Sequence, residues 1–374
     1  MNTPPLSPLA ARRPRGARPA DVQRHVREFW VGGYAAAGTP GIQRMRWNAV
    51  TRELTALPAT VDLVNPAFLA ARADRSMLYA VSESESGEGA VAWFGPSPDG
   101  GLHLLGQVPS GGTQPCHLAL SPDEKSLLVA NYGSGSVAVF PLADSGAIRA
   151  RVNAVVFSGS GPVHGRQAGP HAHQVIFDGP NRVLVCDLGS DRVLRFVWSA
   201  GERTLTSDTP AALNLLPGAG PRHACLHPAG ELLFIANELN STLAVFDRTG
   251  RMNQILATSR GDGAGVNYPA HVAVTPDGRF VLVSNRGDDA LAVFGIDEES
   301  WTVRHVGYAA AGGAWPRHFA ILDADGQGGL PWHLAVACQR SGGVTILPLD
   351  PVTGLPGPVV ATATAHSPAC VLPI

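Results

Sequence analysis

One short stretch concentrates residues able to move protons and hold anions. It runs from Gly218 to Phe246, GAGPRHACLHPAGELLFIANELNSTLAVF. Arg222 and His223 stand side by side, and Glu238 lies sixteen positions after Arg222. A guanidinium offers a planar fork of donors to a carboxylate, a phosphate or a developing oxyanion. An imidazole or a carboxylate can take up a proton and return it. Neither a Gly-x-Ser-x-Gly elbow nor a Cys–His pattern occurs, so no covalent nucleophile is expected.

These residues sit in a repeating unit. It starts with a short alternating run at His223, turns at His227-Pro228-Ala229-Gly230, and continues in an apolar run, Leu232 to Ala236, that ends at Asn237-Glu238. A further run, Leu243 to Phe246, follows. Short apolar and β-branched runs broken by Pro, Gly, Asn and Asp read as antiparallel strands, and helical spacing is absent. His117, His173, His223 and His271 are each followed fourteen residues later by Asn131, Asp187, Asn237 and Asn285. Further copies start at Phe68 and His318, and an incomplete one at Cys370.

Seven such starts predict an all-β fold, a seven-bladed β-propeller. A single blade cannot bury both its faces, so blades pack radially. The incomplete unit Cys370-Val371-Leu372 lacks following strands. The runs Phe29 to Tyr34, Gly41 to Trp47 and Leu54 to Val61 lack a first strand. N- and C-terminal strands are therefore expected to share the last blade and close the ring.

The propeller accounts for residues 29–374 as one domain. Residues 1–28, rich in Pro and Arg and without a continuous apolar segment, are read as a disordered tail or an over-extended start rather than a secretory signal. The formal net charge of −2 provides no basic field for nucleic acid or a membrane surface. No apolar run reaches the roughly 18–20 residues of a membrane span. The five cysteines form no C-x-x-C, and four replace small residues of other units, as expected of buried reduced thiols in the cytoplasm. The acidic patch Glu83 to Glu88 is expected to be a solvated loop.

Hairpin geometry brings the unit start and the position fourteen later to the same end of a blade. The seven blades present that end around one channel. His117, His173, His223, His271, His318, Tyr132, Glu238, Arg286 and Arg340 should therefore line one rim, with His171, Arg222 and Arg317 beside them. His117, His271 and His318 could equally be structural, capping strands and bonding to the neighbouring blade. With one His per blade on a wide ring, a catalytic metal is not expected. Equivalent positions hold Tyr132, Leu188, Glu238 and Arg286, so a symmetric scaffold carries an asymmetric pocket.

Gly169-Pro170-His171-Ala172-His173-Gln174, Cys186-Asp187-Leu188-Gly189-Ser190-Asp191-Arg192, Gly218 to His223 and Asn237-Glu238-Leu239-Asn240-Ser241 resemble the bacterial propeller-type 6-phosphogluconolactonases. That lactonase family also includes fungal carboxy-cis,cis-muconate cyclases. The resemblance spans roughly Phe29 to Ile374. It implies a cofactor-free hydrolase of the pentose phosphate pathway acting on a small (phospho)sugar lactone, with functional residues at His173, Arg222, Glu238 and Arg286. His173 or Glu238 would serve as base and acid, and Arg222 and Arg286 as anion binders. His171, His223, Arg340, His271 and Tyr132 are further candidates for substrate contact. A lactone-forming cycloisomerase and a non-catalytic binding platform are the alternative readings. The oligomeric state stays open, a monomer among the options.

Overall fold

The computed structural model of the chain describes residues 25–84, 87–261, 265–322 and 332–374. Its architecture is seven four-stranded antiparallel sheets arranged as the blades of a propeller. In the blade that carries Glu238 the strands are Pro221–Leu226, Leu232–Asn237, Thr242–Asp247 and Met252–Ala257, in that order from the channel outward.

Burial changes along this order. Leu232–Asn237 is buried at every residue, whereas Met252–Ala257 alternates between half-buried and exposed. An inner strand is covered on both faces by neighbouring blades, so its sequence reads as an unbroken apolar run. An outer strand faces water. Successive side chains of the inner strand point to opposite faces. Leu233 and Ile235 pack with Leu184 and Cys186 of the preceding blade. Leu232, Phe234 and Ala236 pack with Val272, Val281 and Val283 of the following one. The core is thus a set of layers between blades rather than one central mass, and the central channel is left to the strand starts.

Turns follow from local chemistry. At Thr275-Pro276-Asp277-Gly278 the Thr275 hydroxyl donates to Asp277 at 2.6 Å and the Gly278 N–H to the Thr275 carbonyl at 2.9 Å. Gly278 takes φ +77°, a left-handed value that favours glycine.

Ring closure is as the repeat implies. Pro368–Pro373 forms the inner strand of a blade completed by Val26–Gly33, Pro40–Asn48 and Glu53–Asp62. Val31 opposes Val371, and Trp30 opposes Leu372. The first of these strands begins at Val26, inside the stretch read from sequence as a tail. The rest of that reading, residues 1–24, lies outside the described residues, as does the Gly-rich segment 323–329, which in sequence interrupts the unit that starts at His318.

The acidic stretch at 83–88 is a correction. Glu83 is not simply solvated: it is half-buried and accepts the Tyr34 hydroxyl at 2.8 Å. Glu88 accepts the Gly111 N–H at 3.1 Å. Residues 85–86 lie outside the described residues.

Removing residues 368–374 should strip Val26–Gly33 of its inner partner and expose buried Val371 and Cys370. The expected cost is on the order of 5 kcal/mol or more, read as a lower urea midpoint and a shift toward large species in gel filtration. An unchanged midpoint would contradict closure by this strand pair.

Candidate active site

The register of the inner hairpin differs from simple symmetry about the turn. Pro221 opposes Asn237, but His223 opposes Ala236, with Arg222 between them at a bulge. A bulge places two residues opposite one and re-aims the extra side chain. The same irregularity occurs between Pro115 and His117 and between Pro316 and His318. In the His173 blade it falls on His173 itself, between Ala172 and Gln174. The bulge is therefore how a strand start delivers Arg222 or His173 to the channel mouth.

Glu238 is the centre of the site. It is 3% exposed, yet its carboxylate faces three guanidiniums. One oxygen accepts from Arg222 Nη1 at 2.6 Å and from Arg286 Nη2 at 2.7 Å. The other accepts from Arg166 Nη2 at 2.5 Å. Burial raises the Glu238 pKa, but the Arg286 and Arg222 charges outweigh it and hold the carboxyl well below its usual range. Burial also works against the charge on Arg222 and Arg286 and lowers both, with Glu238 opposing it. Arg166 is a third exposed; there Glu238 overcomes burial and the guanidinium is held more firmly protonated. Arg286 is anchored further by donation from Nε to the Tyr268 carbonyl at 3.1 Å.

Around this cluster stands an aromatic wall. Arg166 and Arg286 each lie 5.8 Å from the Tyr268 ring centroid. Arg286 also lies 5.7 Å from Trp315, which Arg340 covers at 3.3 Å. Arg340 is exposed at the rim, stacked on Trp315 rather than paired with Glu238. A second ionic group adjoins the first: Arg317 donates to the Tyr34 hydroxyl at 2.7 Å, and Tyr34 in turn to Glu83.

His173 is 5% exposed, and its Nδ1 is buried without a hydrogen-bond partner. Burial, and next the Arg222 charge, hold its pKa well below the ordinary histidine value, so the ring is neutral. It packs 5.3 Å from His223 and 5.6 Å from Tyr132. Tyr132 stacks on His171 at 4.3 Å, and His171 Nδ1 is 3.0 Å from the Tyr132 carbonyl. His171 and Tyr132 thus support one another beside His173.

The other histidines do something the sequence did not suggest. The sequence places them on one rim of a wide ring, without indicating that their side chains touch. Phe68, His117, His223, His271 and His318 form a closed circuit of ring contacts, with centroids 3.9 to 5.7 Å apart. His223 Nδ1 lies 3.0 Å from His271 Nδ1, so one must donate and the other accept. His318 Nδ1 accepts the Val371 N–H at 3.3 Å, the expected bond to a neighbouring blade. His271 stacks on His318 at 3.9 Å and packs against Phe319. Its polar atom is engaged inside this circuit rather than with Glu238, and His223 bridges the circuit to His173.

Arg166, Tyr34, Tyr268 and Trp315 escape a repeat-based reading, and Glu83, fifteen residues after Phe68 as Glu238 is after His223, was read only as part of an acidic loop. Arg166 lies in the long connection between strands Asn153–Val156 and Ala172–Phe177. The length of that connection was the available signal, since long ordered loops tend to carry function. Cys116 donates to the Ala172 and His173 carbonyls at 3.5 and 3.3 Å, a packing role for a thiol that burial raises well above its ordinary pKa. Among the described residues no group of three or more His, Cys, Asp or Glu is arranged to hold a metal.

A cavity of about 700 Å³ lies elsewhere, lined by Glu28, Trp30, Arg44, Phe94 and Leu102. Its Arg44 and Arg46 are committed to Glu28, and it shares no residue with the Glu238 cluster. Volume is a poorer guide here than the convergence of buried charge.

Comparison with known proteins bears on the family and the fold. The family model "Lactonase, 7-bladed beta-propeller" matches residues 28–373. The 6-phosphogluconolactonase of Bacillus subtilis (strain 168) is 28% identical over 348 residues, 91% of this chain and 97% of that protein. That of Formosa agariphila is 30% identical, over 84% of this chain and 90% of its own length. The periplasmic gluconolactonase of Pseudomonas aeruginosa superposes with a TM-score of 0.85 at 28% identity, covering 93% of this chain and 99% of that one.

Burial holds His117, His173, His223, His271 and His318 below the ordinary value of 6.5. As pH falls below 6.5 the unfolded chain takes up protons that the folded chain does not, so stability must fall. Each such group contributes at most about 1.4 kcal/mol per pH unit. Urea unfolding at pH 7.5 and pH 5.0 should differ by several kcal/mol. His117→Phe, which copies the residue at the start of the Phe68 unit, should reduce the slope by up to one proton.

Proposed function

The chain belongs to the seven-bladed lactonase propeller family, and on that premise we propose that it hydrolyses a sugar lactone, with 6-phospho-D-glucono-1,5-lactone as the preferred substrate and 6-phosphogluconate as the product. The observation that carries this reading is the buried Glu238 carboxylate gripped by Arg166, Arg222 and Arg286 beside the neutral ring of His173.

Hydrolysis requires a water to attack the lactone carbonyl carbon, a partner for the resulting oxyanion, and a proton for the departing ring oxygen. Arg222 suits the second task. Its Nε is buried without a partner while one Nη holds Glu238, which leaves donor capacity for an oxyanion in a dry site. Of the two proton carriers that the sequence left open, His173 has the better support. Its Nδ1 is unbonded and its ring is neutral, so it can accept a proton from water. Glu238 already accepts three charge-assisted hydrogen bonds, which occupy both of its oxygens. In this assignment Glu238 holds the guanidiniums in place and offsets part of their charge. The carbonyl carbon gains the water oxygen, its bond to the ring oxygen breaks, and the proton taken by His173 passes to that oxygen.

Phosphate is the preferred remote group because the cleft is cationic. Arg166, Arg222, Arg286 and Arg317 face only Glu238 and Glu83. Such a field favours a dianion over an uncharged sugar. This reading places the chain at the lactone-opening step of the pentose phosphate pathway, and its five unpaired cysteines fit a reducing cytoplasm.

Freshly prepared 6-phosphogluconolactone and glucono-1,5-lactone, each corrected for spontaneous opening, should separate by about tenfold or more in kcat/KM, in favour of the phosphorylated lactone. His173→Asn should lower kcat by roughly 10²-fold or more, and Arg222→Ala by roughly 10²–10³-fold. The wild-type profile should show no inflection near pH 6.5 from His173. Wild-type rates in both variants would remove the assignment.

A further inference from the structure

We infer that Asp191, acting with Gln167, is the positioning residue of this site. One buried carboxylate fixes both the backbone that presents Arg222 and Glu238 and the loop that presents Arg166.

Asp191 follows the 3-10 turn Leu188–Ser190 in the His173 blade, one blade away from Glu238. It is 7% exposed, and its partners are two backbone amides and a side-chain amide rather than a cation. Oδ2 accepts the Gly218 N–H at 2.7 Å, and Oδ1 the Gly220 N–H at 2.8 Å. Oδ1 also accepts Gln167 Nε2 at 2.7 Å. Gly218 and Gly220 take φ +81° and +63°, and a Cβ on Gly220 would lie 2.4 Å from Leu239 Cγ. This tight loop is therefore held in a conformation that few sequences adopt, and the Asp191 carboxylate satisfies its inward N–H groups.

The loop sets both members of the central ion pair. Its Gly220 carbonyl accepts the Glu238 N–H at 2.8 Å, and its Ala219 carbonyl the Leu239 N–H at 3.0 Å. Arg222 follows two residues later, at the bulge. On the other side Gln167 adjoins Arg166. Gln167 is fully buried, donates to the Leu188 carbonyl at 2.8 Å and accepts the Val163 N–H at 3.1 Å. Asp191 thus joins two of the three chain segments whose guanidiniums meet on Glu238. Its oxygens are all engaged inward, so it acts through Arg222 and Arg166 rather than on a substrate.

The kinetic arm of the test rests on the lactonase reading, and the structural arm does not. Asp191→Asn is the clean variant because Asn tolerates the left-handed backbone at φ +56°, while one oxygen becomes a donor facing donors. Expected is a fall in kcat on the order of 10²-fold, the scale of an ångström-level misplacement. In an Arg222→Ala background the same change should cost no more than about threefold, because the two act as a unit. Deuterium exchange of the 216–222 amides should rise in Asp191→Asn, as should labelling of Arg222 and Arg166 by p-hydroxyphenylglyoxal. Equal losses in both backgrounds, or wild-type exchange and labelling, would overturn the inference. If Asp191→Asn does not fold, Gln167→Met takes its place, with a loss expected to vanish in Arg166→Ala. If the wild-type chain opens no lactone, the lactonase reading fails, while exchange and labelling still decide the role of Asp191.

Discussion

A carboxylate almost removed from water, with three guanidiniums on its two oxygens, is the constraint around which the molecule is arranged. Isolated, any one of these four charges would be too costly to bury. Together they are tolerable only if the geometry is held tightly, because a small displacement leaves a charge without its partner in a medium that screens poorly. The groups come from different parts of the chain: Arg222 and Glu238 from one blade, Arg286 from the next, and Arg166 from a connection before the His173 blade. A rigid ring of sheets is a scaffold that can hold such distant segments in register, since each blade is packed on both faces.

The channel beneath shows the complementary solution. Phe68 and the four histidines in contact with it through the circuit fill the axis with rings instead of charge. Neutral imidazoles tolerate this environment, and the bond between His223 and His271 requires one Nδ1 to carry hydrogen and the other to be bare. At this level side chains occupy the channel, and the arginines gather around Glu238 at its mouth. His173 belongs to both regions. It touches the circuit through His223 and the ionic cluster through the field of Arg222.

Much of the fold was legible because the repeat is written in turn residues and apolar runs, and these are dictated by local chemistry. The incomplete unit at Cys370 even indicated which strands share a blade. Arg222, Glu238 and Arg286 were legible for the same reason, since each occupies a fixed place in a unit. Arg166 was not, because it stands outside the repeat, and no spacing rule reaches into a connection. Tyr34 belongs to a unit that lacks a starting histidine, so nothing in the pattern marked it; Glu83 stands fifteen residues after Phe68, as Glu238 does after His223, and was passed over because it opens an acidic run. The bulge before His117, His223 and His318 was hidden too. An extra residue in one strand leaves the sequence spacing unchanged, yet it turns Arg222 toward its partners. The closeness of the histidines was not legible because strand count suggests a width, whereas the inward tilt and bulk of the side chains decide what space remains.

The pairing of Val26–Gly33 with Pro368–Pro373 bears on how the molecule is made. The strand that shuts the ring leaves the ribosome after every other described strand. Translation of a chain this long takes on the order of a minute at bacterial or eukaryotic rates. Throughout that interval the earliest hairpin has one open edge and the blades can only stack as an arc. Exposed edges of that kind recruit other chains, so a nascent propeller of this design has reason to depend on chaperone protection until its final strand arrives.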